Sequence, residues 1–139
     1  LACNRYNRML WVALQERDSG RGVCISNYHM PCMFRRPHVM LIHAYMAATA
    51  TAHLSKGRPH ILAGDFNIKP GDPPYCLLTT GEVACPSHLP AIASVPNGLW
   101  NNFRLDAPLT SAYKQAQGSE PAFTNYAHIA GEPQPFIET

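Results

Sequence analysis

At 139 residues and 46% hydrophobic content, the chain has the size of one globular domain and enough apolar material for a real core. Its net charge of +2 and pI near 8.4 are too mild to identify a nucleic-acid binder, so charge alone says nothing about the partner. No apolar run reaches the roughly 18 residues a membrane helix needs, and no signal-peptide pattern opens the chain. The first residues, LACNRYNRML, contain no initiator Met. Residue 1 is therefore not expected to be a natural start, and the absence of a targeting segment carries little weight. Five cysteines at irregular spacings (Cys3, Cys24, Cys32, Cys76, Cys85) suit free thiols in a reducing compartment, the cytoplasm by expectation, better than a disulfide framework.

In chain order, residues 8–14 (RMLWVAL) and 22–28 (GVCISNY) read as two strands joined by the polar turn RDSGRG, a hairpin signal. From Pro37, PHVMLIHAYMAATATAHL has no internal Gly or Pro. It places Val39, Ile42, Met46, Ala50 and Leu54 at helical spacing, with Pro37 suited to a first turn. KGRP breaks the helix, and His60 to Ala63 (HILA) is a short apolar run of the kind that forms a buried central strand. KPGDPP is a turn and YCLLTTG a helical turn ending at Gly81. Residues 82–108, marked by Pro, Asn and Gly, show little regular pattern. A further strand is expected near Phe123. No repeat or internal domain boundary is visible.

The stretch ILAGDFNIKP sets Asp65 and Asn67 just past the carboxyl end of the HILA strand. Side chains there are held rigidly yet face solvent. A carboxylate can bind a divalent cation or take a proton from water, and an amide two residues on points the same way along an extended backbone. Both types also favour plain turns. CISNYHMPC repeats the arrangement, with Asn27 and His29 at another strand end. One such histidine alone would suit a structural imidazole. A third stretch, LTSAYKQAQGSEPAFTNYAHI, carries Ser111, Tyr113, Phe123, Thr124 and Asn125 around a turn at residues 118–121.

The ordered set N-x-H, a helix, G-D-F-N-x-x-P followed by Tyr75 and LLTTG, then S-A-Y and E-P-x-F-T-N, resembles the endonuclease/exonuclease/phosphatase superfamily. It is most similar to the branch of poly(A) nucleases, nocturnin, angel proteins and 2′-phosphodiesterases. Any one tetrapeptide is weak, but four in order are specific. The resemblance implies an α/β fold, part of a four-layer α/β/β/α sandwich, and an Mg²⁺- or Mn²⁺-dependent phosphodiesterase acting on poly(A)-like RNA or nucleotides, most closely a 3′-5′ exoribonuclease. It further implies that Asp65 positions or deprotonates the attacking water, and that Asn67 orients Asp65 and contacts the phosphate, both near the metal. By the same resemblance His29, paired with Asn27, donates to a phosphoryl oxygen. Phe123 matches an aromatic that stacks on a base and Asn125 a polar group lining the same cleft; Phe123 as plain core is the competing reading.

The resemblance also implies what is missing: the family's metal-binding glutamate precedes this chain, and its final Asp-His pair follows the closing PFIET. Glu16 in LQERDSG imitates the glutamate motif but sits at a hairpin turn. The chain is thus expected to be the second half of a catalytic domain, completed by further chain or by a partner and inactive alone. A half-domain serving as a scaffold is the alternative. A zinc site from the pairs His29/Cys32 and Cys85/His88 is a weaker competitor.

Overall fold

The computed structural model describes residues 2–83, 103–128, 130–131, 134 and 136–138. After a 3₁₀ turn at Ala2–Asn4 come strands β1 (Met9–Gln15) and β2 (Gly22–Tyr28), which pair antiparallel from Met9↔Tyr28 to Gln15↔Gly22. Their turn closes because the Glu16 N–H donates to the Arg21 carbonyl at 2.8 Å and the Gly20 N–H donates back to Glu16 at 3.0 Å. Helix α1 (Pro37–Ser55) carries the chain across, with Pro37 in its first turn and Lys56 ending it in the left-handed conformation. Strand β3 (His60–Ala63) then returns parallel to β2, with Cys24 beside His60 and Asn27 beside Ala63. The sheet order is β1-β2-β3. Among the described residues the HILA segment is therefore an edge strand of this sheet rather than a buried central one, and Ile61 is 52% exposed. Among the described strands the central position belongs to β2, which pairs with β1 on one side and β3 on the other.

α1 covers one face of this sheet. Its buried side is Val39, Met40, Leu41, His43, Ala44, Ala47, Ala48, Thr51 and Ser55; of the expected stripe Val39 is buried, whereas Met46 and Leu54 remain exposed. A helix apolar on nearly all sides leaves periodicity unable to choose a face. Size chooses instead: small residues let the helix approach the sheet closely, and the Thr51 hydroxyl donates to Ser26 of β2 at 2.8 Å inside the contact. Cys24, Ser26 and Tyr28 face α1 and are buried, as alternation along a strand requires. The Tyr28 ring stacks with His43 of α1. The Ala2 carbonyl at 3.2 Å can only accept, so His43 Nε2 carries the proton and Nδ1 accepts from the Tyr28 hydroxyl at 2.6 Å. Burial pushes the His43 imidazole below its ordinary value and the Tyr28 phenol above.

The opposite face carries Leu10, Val12 and Leu14 of β1 and Ile61 of β3, all exposed. Helix α2 (Pro73–Thr80) packs beside α1 and buries Leu77 and Leu78 with Met30, Leu41 and Leu105. Gly81 ends α2 at φ +83, where a Cβ would meet the Leu105 carbonyl oxygen at 2.7 Å. Helix α3 (Ala112–Gln117) is capped by Ser111. Strands β4 (Asn125–Ala127) and β5 (Phe136–Glu138) pair antiparallel in a separate two-stranded sheet, so the strand expected near Phe123 starts two residues after it. The described residues thus form a mixed α/β arrangement with one helical layer on a three-stranded sheet. Among them, no helix is long and apolar enough to cross a membrane.

Candidate active site

The G-D-F-N stretch has a geometric reason for each residue. Gly64 adopts φ +135, and a Cβ there would lie 2.1 Å from the Tyr28 carbonyl oxygen, so only glycine lets the loop after β3 pass so close to β2. Phe66 packs against the core cluster and anchors the loop, which turns Asp65 outward. Asn67 takes the left-handed conformation, φ 50, which asparagine tolerates better than most residues. Its N–H donates to Asp65 Oδ1 at 3.1 Å, and its side-chain amide donates to the Met30 carbonyl at 3.0 Å. Asn67 thus orients Asp65 through its main chain, while its side-chain NH₂ grips the neighbouring loop.

That neighbouring loop follows β2 and carries His29. The Met30 N–H donates to the Asp65 carbonyl at 2.8 Å, and Asn7 donates to the His29 carbonyl at 2.7 Å. His29 Nε2 lies 3.7 Å from Asp65 Oδ2, both side chains well exposed. That separation exceeds a direct hydrogen bond, so each group keeps capacity for a ligand. Asn27, exposed, stands beside Ala63 and Leu10 on the uncovered sheet face. Glu16 lies at the other end of the hairpin, bonded to Ser19 and 3.7 Å from Arg21.

A cavity of about 670 Å³ opens beside Asp65 and Asn67, and Tyr75, Glu120, Thr124 and Asn125 also line it. Phe123 is 52% exposed, its ring tilted against that of Tyr126 with the centroids 6.2 Å apart, which overturns its reading as core. It lies outside the cavity lining; its neighbours Thr124 and Asn125 occupy it. Sequence reasoning missed the tie that brings this segment in: the Tyr75 hydroxyl donates to Glu120 Oε1 at 2.6 Å. The bond to Glu120 pushes the Tyr75 phenol up to about 12. Hydrogen bonds from Tyr75 and Ser111 hold Glu120 below the usual carboxylate range. The only sequence signal was Tyr75 and Glu120 lying inside two motifs.

As metal donors, Asp65 supplies one carboxylate, and the Asn67 side chain, its NH₂ engaged with Met30, keeps its carbonyl oxygen open. This fits part of a magnesium shell, which commonly takes one or two carboxylates plus waters and substrate phosphate. Among the described residues no group of three His, Cys, Asp or Glu side chains is placed to hold an ion. Cys85 and His88 lie outside the described residues; Cys3, Cys24, Cys32 and Cys76 are free thiols.

No protein-family model matches the chain. Mouse 2′,5′-phosphodiesterase 12 is 30% identical over 114 residues, which cover 78% of this chain and 18% of that protein. The crystal structure of ANGEL2, a 2′,3′-cyclic phosphatase, in complex with adenosine-2′,3′-vanadate superposes with a TM-score of 0.54 at 26% identity, over 59% of this chain and 25% of that one. The chain thus spans a quarter or less of either relative. With the Asp65, Asn67 and His29 geometry, these likenesses identify the chain as a member of the endonuclease/exonuclease/phosphatase superfamily, in its deadenylase and angel branch.

Proposed function

We propose that this chain forms part of the active site of a cytoplasmic phosphodiesterase that hydrolyses RNA or nucleotides with Mg²⁺ or Mn²⁺, most specifically a 3′-5′ exoribonuclease of the deadenylase type. The observation that carries the reading is the convergence of His29 and Asp65 from the carboxyl ends of two adjacent parallel strands, locked by the Met30 and Asn67 hydrogen bonds. The names of both relatives refer to phosphate esters at ribose 2′ or 3′ oxygens, which favours a nucleotide substrate.

In this reading Asp65 orients or deprotonates the attacking water, and the Asn67 N–H on Oδ1 leaves Oδ2 to face it. His29 donates to a phosphoryl oxygen as charge builds in the transition state. Asp65 and the Asn67 carbonyl oxygen would hold the cation, which when bound would supply Lewis-acid polarisation of the phosphoryl group. Asn125 lines the cleft, Asn27 contacts substrate from the carboxyl end of β2, and Phe123 with Tyr126 offers aromatic faces to a departing base. The apolar face of Leu10, Val12, Leu14 and Ile61 fits the inner surface of a four-layer sandwich, which a second sheet would cover. The same exposed face favours the alternative, a half-domain that acts as a scaffold.

The deciding experiment assays the full-length protein and the 139-residue chain on oligo(A) with Mg²⁺ and Mn²⁺. Release of mononucleotides by the full-length protein, and none by the chain, is expected. Turnover by neither leaves the scaffold reading.

A further inference from the structure

His29 stands on the rim of a second concavity, about 640 Å³, which is lined by Asn4, Arg5, Tyr6, Asn7, Arg8 and His29. Its lining holds two guanidinium groups and no carboxylate. Among the described residues neither Arg5 nor Arg8 forms an ion pair: the pairs are Arg21 with Glu16, Arg104 with Glu82 and, on the rim of this concavity, His29 with Asp65. Arg5 touches the Met33 sulfur at 2.8 Å, a contact that leaves its charge uncompensated. Two unpaired guanidiniums beside a histidine make an anion site, because the planar fork of arginine matches the oxygens of a phosphate.

The segment is also held in place rather than dangling. Asn7 fixes it to the His29 carbonyl, Ala2 accepts from His43 at its start, and the β1–β2 ladder begins at Met9↔Tyr28, one step beyond Arg8 and His29. Tyr6, 91% exposed, presents an aromatic face in the same concavity, and bases of any kind stack on such faces. His29 joins this concavity to the Asp65 cavity across 3.7 Å.

Resting on the phosphodiesterase reading above, we propose that residues 4–8 form a subsite for the nucleotide next to the scissile phosphate, with Arg5 and Arg8 on its phosphate and Tyr6 on its base. The chemistry required of the ligand is a second phosphate group; an internucleotide phosphate and a free phosphate ion both carry it.

The test uses the full-length protein and two probes. Inorganic phosphate should protect Arg5 and Arg8 from phenylglyoxal, as mapped by mass spectrometry. Short oligo(A), followed by fluorescence anisotropy at several salt concentrations, should bind about tenfold more weakly to the Arg5→Gln/Arg8→Gln variant. The slope of log affinity against log salt should fall by about 1.4, since each phosphate contact on a single strand contributes roughly 0.7. The Arg5→Lys/Arg8→Lys variant should restore the slope, and Tyr6→Ala should weaken binding without changing it. Circular dichroism checks that each variant is folded. Unchanged affinity and slope in the glutamine variant overturn the subsite and leave the phosphodiesterase reading standing. Protection by phosphate without any oligo(A) binding overturns the nucleotide subsite together with the RNA substrate reading, and leaves Arg5 and Arg8 as a site for free phosphate only. Absence of protection by phosphate overturns the subsite outright.

Discussion

The side-chain amide of Asn67 donates to the Met30 carbonyl at 3.0 Å while the Met30 N–H donates to the Asp65 carbonyl at 2.8 Å. The loops that follow β2 and β3 are therefore bonded to one another in both directions, and the spacing of His29 and Asp65 is set by one backbone–backbone bond and one side-chain bond to backbone. Preorganisation of this kind is what transition-state stabilisation requires.

Asp65→Ala in the full-length protein is expected to abolish hydrolysis while unfolding free energy falls by only about 1 kcal/mol, the worth of the lost hydrogen bond from Asn67. Initial rates and a urea titration measure the two quantities. An active Asp65→Ala enzyme would remove Asp65 from the chemistry.

Gly64→Ala is expected to destabilise the fold by about 3 kcal/mol or more, because it combines a forbidden backbone region with a collision on the Tyr28 carbonyl. The midpoint of chemical denaturation reads this. A shift under about 1 kcal/mol would mean that the loop relaxes away from β2.

Thr51→Val leaves the Ser26 hydroxyl buried without its partner and should cost about 1 to 3 kcal/mol. Adding Ser26→Ala should recover part of that loss, since removing both polar groups is cheaper than orphaning one. A double-mutant cycle with no coupling would contradict the pairing.

The Tyr75–Glu120 bond sets a pH window. Glu120 is lowered on folding, so its contribution is present above the ordinary carboxylate pKa and lost as pH falls through the lowered value. Tyr75 is raised, so its contribution holds below pH 10 and is lost as pH rises through about 12. Ultraviolet titration of the phenol should show Tyr75 ionising earlier in Glu120→Gln; an unmoved transition would mean that Glu120 does not hold Tyr75.

His43 behaves in the opposite sense to a paired histidine. Its imidazole is lowered by burial, so the stability it lends is present above the ordinary histidine pKa and is lost as pH falls through its lowered value. Acid unfolding followed by circular dichroism should move to lower pH in His43→Leu if the neutral ring is the group being charged. An unshifted acid transition would clear His43 of that role.

Much of this was legible in the residues. The hairpin, α1 and β3 follow from strand composition, from uninterrupted helical length and from breakers at Gly57 and Pro59, and their observed bounds lie within a residue or so of the expected ones. The face of α1 was not legible, since a helix apolar all round is turned by what it packs against, and here its Ala, Thr and Ser side chains face β2. The edge position of β3 depends on which strands pair, which a four-residue apolar run cannot reveal. At the site, the motifs located His29, Asp65 and Asn67, but they could not show that Asn67 uses its main chain on Asp65 and its side chain on Met30. The bond from Tyr75 to Glu120 joins residues far apart in sequence, and neither spacing nor periodicity encodes it.

The parallel pairing of β2 with β3 has a kinetic consequence. Cys24 meets His60 only after the whole of α1 has been threaded between them, and such long-range closure spends chain entropy before any contact compensates it. The hairpin and the helix, built from neighbours in sequence, form early by comparison. Until β3 docks, Asp65 has no Met30 to receive and His29 has no carboxylate opposite it. Recovery of ligand binding during refolding should therefore lag the recovery of helical signal, and the lag would time the crossover itself.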